Sequence, residues 1–134
     1  MKKIPSFALI AGLIFPPIPS VVNAQNECSW GTNSQQRVFA HEAASITVST
    51  TALGLTAATY DQSAAGGPKA TQALVSIETN SVRVTVDGTV PTSTVGLLVT
   101  AGSTFVVCGS NIALLRAIRV SADAGMQATY STAQ

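Results

Sequence analysis

Between Ser81 and Asp87 the chain reads Ser-Val-Arg-Val-Thr-Val-Asp. This alternation of β-branched and polar side chains limits the fold more than any other feature. A strand turns successive side chains to opposite faces, whereas a helix cannot gather every second residue on one side. The spacing predicts a half-buried strand with Val82, Val84 and Val86 inward, closed by a turn at Asp87-Gly88. The pattern recurs. In Ala44–Thr50, Ile46 and Val48 alternate with Ser45, Thr47 and Ser49. In Thr71–Thr79, Ala73, Val75 and Ile77 share a face, and Met126, Ala128 and Tyr130 share one on the last strand. Leu53 and Leu55 open a similar run ending near Tyr60. Arg37–His41, Gly96–Thr100 and Ser103–Cys108 read as short strands, as does Arg116–Ser121 with Ile118 and Val120 inward. Ser63–Lys69, Ala101-Gly102 and Asp123-Ala-Gly125 carry loop chemistry, and Asn111–Leu115 is the one stretch of helical character. About eight short strands at regular spacing predict an all-β chain: a single β-sandwich or jelly-roll-like domain, with no βαβ unit.

Ahead of these strands stands a different signal. Lys2 and Lys3 precede an uncharged apolar run, Phe7–Phe15. Pro16, Pro17 and Pro19 follow, and the stretch ends in Val22-Asn23-Ala24. That order is a secretory signal peptide: basic start, short apolar stretch, small residues at the cleavage point. The run is too short to span a hydrocarbon core of ~30 Å. Residues 1–24 are therefore expected to be removed, with no membrane insertion afterwards. The exported chain would begin with an extended lead, residues 25–36, followed by the β-domain, residues 37–134.

Charge excludes some functions. The exported part keeps five basic residues, Arg37, Lys69, Arg83, Arg116 and Arg119, and six acidic ones, Glu27, Glu42, Asp61, Glu78, Asp87 and Asp123, a formal charge of −1. No basic stripe is available to neutralise phosphates, so nucleic acid is not an expected partner. Charged residues make up only 10% of the chain, where about 25% is usual. Ala43–Tyr60 and Gly88–Leu115 carry none at all. A surface this neutral suits one covered by copies of itself or by a larger assembly; it equally suits an exported β-domain whose surface uses Ser and Thr.

Catalytic groups are scarce. The single histidine, His41, stands beside Glu42, but a lone histidine on a β-domain is ordinarily just a surface side chain. No nucleophile elbow, phosphate-binding loop or dinucleotide fingerprint is present. The reading is no enzyme, no cofactor and no metal site. Cys28 and Cys108 are an even pair, and an oxidising compartment favours a disulfide between them. Closing a loop of about 80 residues would add roughly 4.5 kcal/mol on the chain-entropy account. Two free thiols are the alternative, and a zinc site would have only His41 to add. Trp30 and Tyr60 are the candidate ligand contacts, Trp30 serving either as a binding handle or as a shield over the Cys28 bridge.

The stretch Ser81-Val-Arg-Val-Thr-Val-Asp-Gly-Thr-Val-Pro-Thr-Ser-Thr-Val-Gly96, with Ile112-Ala-Leu-Leu-Arg-Ala-Ile-Arg119 and Met126-Gln-Ala-Thr-Tyr130 after it, resembles small β-sandwich decoration and head-associated proteins of tailed bacteriophages. The resemblance covers roughly residues 70–132. It implies a structural virion role, with no active site to carry over. The export signal departs from that family. An exported surface or filament subunit, or the coat of a virus that assembles at a membrane, accommodates both signals.

Together these features lead to the expectation of a non-catalytic structural or assembly subunit, acting by self-association or docking. The alternative is an extracellular binding module for carbohydrate or peptide. The expected location is beyond the inner membrane: periplasm, cell surface or medium.

Overall fold

A computed structural model describes residues 36–133 as eight antiparallel strands in two sheets, a sandwich-like all-β domain. The expected signal peptide, the lead up to residue 35, Cys28 and Trp30 lie outside the described residues. The larger sheet contains β1 (Gln36–His41), β2 (Ile46–Val48), β3 (Gln72–Ile77), β6 (Thr104–Cys108) and β8 (Ala124–Ala133). Its order is β1-β8-β3-β6, with β2 also pairing to β8. β8 is long enough to hold both: β1 lies against its second half and β2 against Ala124–Met126. The smaller sheet has the order β5-β4-β7, from β5 (Leu97–Val99), β4 (Val82–Thr85) and β7 (Arg116–Arg119).

The chain repeatedly steps from one sheet to the other. β3 leads to β4, β5 to β6, β6 to β7 and β7 to β8 across the sandwich. The β5–β6 step turns at Ala101-Gly102, where Gly102 has φ 80°, a left-handed conformation that glycine adopts without a Cβ clash. Between β6 and β7 lies a single helical turn, α2 (Asn111–Leu114), with Ile112 and the following Leu115 in the core.

The inward rows follow the alternation. Ala73, Val75 and Ile77 of β3, Val82 and Val84 of β4, and Met126, Ala128 and Tyr130 of β8 are all buried. Register brings them together: Ala73 stands between Val107 and Tyr130, and Val75 between Phe105 and Ala128. Each fully buried Val, Ile or Met contributes roughly 1.5–3 kcal/mol relative to exposure.

Five local expectations are corrected. Leu53–Tyr60 is not a strand. Leu53 makes a single bridge to Ala117, and Ala57–Tyr60 forms a short helix, α1. Apart from Thr, that segment has no β-branched residue, and Gly54 sits tightly against the Leu115 carbonyl and the Arg116 side chain. Helical character is therefore not confined to α2, since a 3₁₀ turn also occupies Ser63–Ala65. Val86 does not continue the inward row of β4; the strand ends at Thr85 and Val86 is exposed. On β7 the inward residue is Ala117, not Ile118 or Val120, because Ala117 pairs with Val84 while Ile118 pairs with the outward Arg83. The strand expected over Ala44–Thr50 is short, Ile46–Val48, with Val48 buried as its alternation requires. Beyond it the chain passes to the other sheet, where Ser49 O accepts from Arg119 N and Leu53 exchanges two bonds with Ala117. This segment covers the open side of β7.

Candidate functional site

The β4–β5 hairpin departs most from the rule that apolar side chains go inside. Val90 is 71% exposed, Leu97 68%, Val95 61% and Leu98 46%. Val86 on the same hairpin is also exposed. Singly exposed apolar residues are ordinary; several on one hairpin make it a candidate contact surface. Asp87 is the single charged residue between Val86 and Leu98.

The hairpin is locked by its own polar groups. Asp87 Oδ1 accepts from the Thr89 hydroxyl at 2.6 Å and from its N–H at 3.1 Å. These bonds hold the Asp87 carboxyl below its ordinary range. The Thr85 hydroxyl donates to Thr89 O. Further along, Thr92 and Val95 exchange backbone bonds, and Pro91 is fully buried as an anchor. The Arg83 guanidinium donates to Gly96 O at 2.9 Å. Gly96 has φ 117°, and a Cβ there would stand 3.1 Å from Val84 O. The apolar tips are thus presented on a preformed scaffold, which lowers the ordering cost of binding.

β5 is an outer strand of its sheet. It pairs with β4 on one side, and among the described residues no strand lies on the other. It carries no Lys, Pro or acidic residue, the usual guards of an open edge. The other outer strand of this sheet, β7, is covered by Ser49–Leu53. The uncharged runs Ala44–Thr50 and Leu53–Tyr60 do not form this edge; the open, uncharged, apolar edge is β5.

Tyr60, a candidate ligand contact, lies on the wall of a groove of about 570 Å³, with Ala70, Ile112 and Leu114 among its apolar lining and Lys69 at one side. The preceding loop sets this wall. Asp61 Oδ1 accepts from the Ser63 hydroxyl and N–H, and Lys69 Nζ lies 2.9 Å from Asp61 Oδ2. The Ser63 hydroxyl, followed by the Lys69 ammonium, lowers the Asp61 pKa to about 2. Leu114, on the far wall, comes within 3.2 Å of where a Cβ on Gly88 would stand, so the groove adjoins the hairpin.

Beneath the groove wall, the Tyr60 and Tyr130 rings are tilted at 55° with centroids 6.0 Å apart. The Tyr130 hydroxyl donates to Glu42 Oε1 at 2.5 Å, and Thr56 N donates to the same oxygen. Burial, then the Glu42 carboxylate, raises the Tyr130 pKa, so the phenol remains a donor. Glu42 is buried and Tyr130 fully so. His41, weighed with Glu42 as an acid–base pair, is exposed, and Glu42 is taken up by this internal bonding. The pair fastens the Thr56 end of α1 to β8.

Cys108 ends β6 with a half-buried side chain, and no free cysteine occurs among the described residues. Its expected partner, Cys28, is outside them, as is Trp30. No group of three or more metal-ligating side chains occurs among the described residues, and none of their helices is long and apolar enough to cross a membrane. Sequence reasoning did not single out Val90, Val95, Leu97 or Leu98. The available signal was the uncharged run Gly88–Leu115, which told of neutrality but not of exposure. Compared with known proteins, the chain matches no family model, no curated protein and no solved structure.

Proposed function

We propose that this domain is a structural subunit, exported and joined by a Cys28–Cys108 bridge, that self-associates through the β4–β5 hairpin and the open edge of β5 without chemical turnover. One observation carries the reading: Val86, Val90, Val95, Leu97 and Leu98 are all exposed on one rigid hairpin bordering an unguarded strand edge. Two copies aligned edge to edge along β5 would satisfy the open backbone groups of both and withdraw Leu98 from water. Such an arrangement is isologous and closes as a two-fold pair. Light scattering of the exported protein across a concentration series tests it. A mass rising from monomer to dimer or beyond, abolished by Leu98→Lys with the β-sheet circular dichroism retained, supports the proposal. A strictly monomeric chain at high concentration sinks it.

The second reading is a binding module for a peptide or sugar, favoured by the groove beside Tyr60. In that case Tyr60→Ala would weaken ligand retention and leave the mass unchanged, whereas Leu98→Lys would leave the ligand bound.

A further inference from the structure

Five lysines and arginines belong to the described part of the chain, and four of them are engaged. Lys69 pairs with Asp61, and Arg119 with Asp123. The Arg83 guanidinium donates to Gly96 O, and that of Arg116 to the carbonyls of Ala113 and Leu115. Arg37, exposed near the start of β1, has no such partner among the described residues. It lines a cleft of about 320 Å³ together with Phe39, Gln62, Pro68 and Thr132.

The backbone builds this cleft. Arg37 stands opposite Thr132 in the β1–β8 ladder. Just beyond it the register breaks: Val38 opposes Ser131 and Ala40 opposes Tyr130, which leaves Phe39 as an extra residue in a bulge. A bulge re-aims a side chain. Here Phe39 and Ala40 both pack against the core, and Phe39 forms one wall of the cleft with Arg37. The other wall is the loop from Gln62 to Pro68, closed on itself by backbone bonds. Gln62 N donates to Pro68 O, and Gln62 O accepts from the N–H groups of Ala65 and Gly67. The Gln62 side chain lies against Gly67, where a Cβ would stand 2.8 Å from Gln62 Cβ and 3.1 Å from Gln62 Oε1. Both walls are therefore set before a ligand arrives, which lowers the ordering cost of binding.

We infer that this cleft binds a single acidic sugar ring, a hexuronate, with Arg37 on its carboxylate. A guanidinium fork matches a carboxylate through two parallel N–H···O bonds. Phe39 and Pro68 offer apolar surface to the C–H face of the ring. The Gln62 amide both donates and accepts, as vicinal hydroxyls do. The volume lies at the small end of ligand pockets, which run from roughly 300 to 1,000 Å³, so it suits one ring and not an acyl chain. Among the described residues Arg37 is the single cation lining the cleft, which fits one carboxylate better than a doubly charged phosphate. Three of the five lining side chains are polar, whereas the groove beside Tyr60 is mainly apolar, so the two sites differ in the ligands they suit.

Two-dimensional amide NMR of the exported protein, titrated with glucuronate, tests this. Shifts should gather at Arg37, Phe39, Gln62 and Thr132 and should saturate. Glucose, which lacks the carboxylate, should bind about tenfold more weakly. Arg37→Gln should cost glucuronate a similar factor and leave glucose binding unchanged. Arg37 is exposed, so the circular dichroism of that variant should match wild type. Phe39→Leu, which keeps apolar bulk in the bulge, should weaken both sugars several-fold. Absent or scattered shifts overturn the inference, as does an Arg37→Gln protein that binds glucuronate like wild type. Inorganic phosphate binding as tightly as glucuronate would overturn the sugar assignment in favour of a bare anion contact. N-acetylphenylalanine binding more tightly would overturn it in favour of a peptide carboxylate. These readouts are independent of the hairpin, so failure of assembly through β5 leaves them unaffected.

Discussion

The two sheets treat the same residue types in opposite ways. In the larger sheet β8 and β3 lie side by side at the centre, and every inward side chain of β3 is buried. In the smaller sheet β4 alone has a strand on each side, and its neighbour β5 exposes two of its three residues. Leu97 shares a row with the buried Val84 and Ala117, yet it is largely exposed. Alternation therefore selects a face. Burial also requires something opposite that face, and at the β5 edge of the smaller sheet nothing described fills that role. The contrast separates a part of the molecule built for stability from a part left available for contact.

The sharpest way to break the contrast is a charge in the buried row. Val84→Asp places an unpaired carboxylate between Leu97 and Ala117 on the inner face and should cost several kcal/mol, enough to prevent folding. Thr85→Asp, on the other face, should cost about 1 kcal/mol through the lost bond to Thr89 O. Chemical denaturation of both decides the register of β4; equal tolerance would refute it.

Tyr130→Phe should come next. It removes the hydroxyl that serves Glu42 and leaves a buried carboxylate with the Thr56 N–H and less elsewhere. A loss of about 1–3 kcal/mol is expected in urea unfolding. Gly96→Ala tests the hairpin scaffold: a Cβ at φ 117°, pressed against Val84 O, should destabilise by about 1–3 kcal/mol. It should also disturb the apolar tips.

Leu98→Lys, by contrast, should change stability by no more than about 0.5 kcal/mol, since the side chain is exposed. Its effect should appear in the assembled mass. Thr47→Lys, also exposed but on β2, is the control. If it dissolves the assembly and Leu98→Lys does not, the contact surface is on the larger sheet and the comparison is reversed.

The smallest expected effect is acid-dependent. The Asp61 carboxyl has a pKa of about 2 in the fold against 3.8 when unperturbed. A depressed pKa contributes stability that is complete above the unfolded value and is lost as pH falls towards the folded one. Melting temperatures should decline from roughly pH 4 to pH 2, and Asp61→Asn should flatten part of that decline. Asp87, also lowered, contributes in the same direction. No flattening in Asp61→Asn would show that its bonds to Ser63 and Lys69 do not persist in solution.

Much of the architecture was legible because strand alternation is a local property. Val82, Val84, Ala73, Val75, Ile77, Met126, Ala128 and Tyr130 could each be assigned to the inside from their neighbours alone. The turn at Asp87-Gly88 and the helical turn near Asn111 were equally local. Leu53–Tyr60 was misread because two leucines at alternate positions imitate a strand, while the Ala-rich residues after them adopt a helix. On β7, Ile118 is the larger apolar residue, but cross-strand pairing with β4 put the smaller Ala117 inside. The exposure of the hairpin's apolar side chains was not legible at all. Val99 and Val90 are the same residue type in the same uncharged run, one buried and the other largely exposed.

The sequence by itself determined the all-β class, most inward rows and the positions of the main turns, since these depend on the two-residue period of a strand and the conformational freedom of glycine. Tertiary structure decided which strands share a sheet, which edge stays open and which apolar side chains meet water. Those outcomes depend on the packing of segments distant in sequence: Leu53 against β7, β8 between β1 and β3, and β5 at an edge with no strand beyond it. No local pattern encodes a neighbour that arrives from fifty residues away.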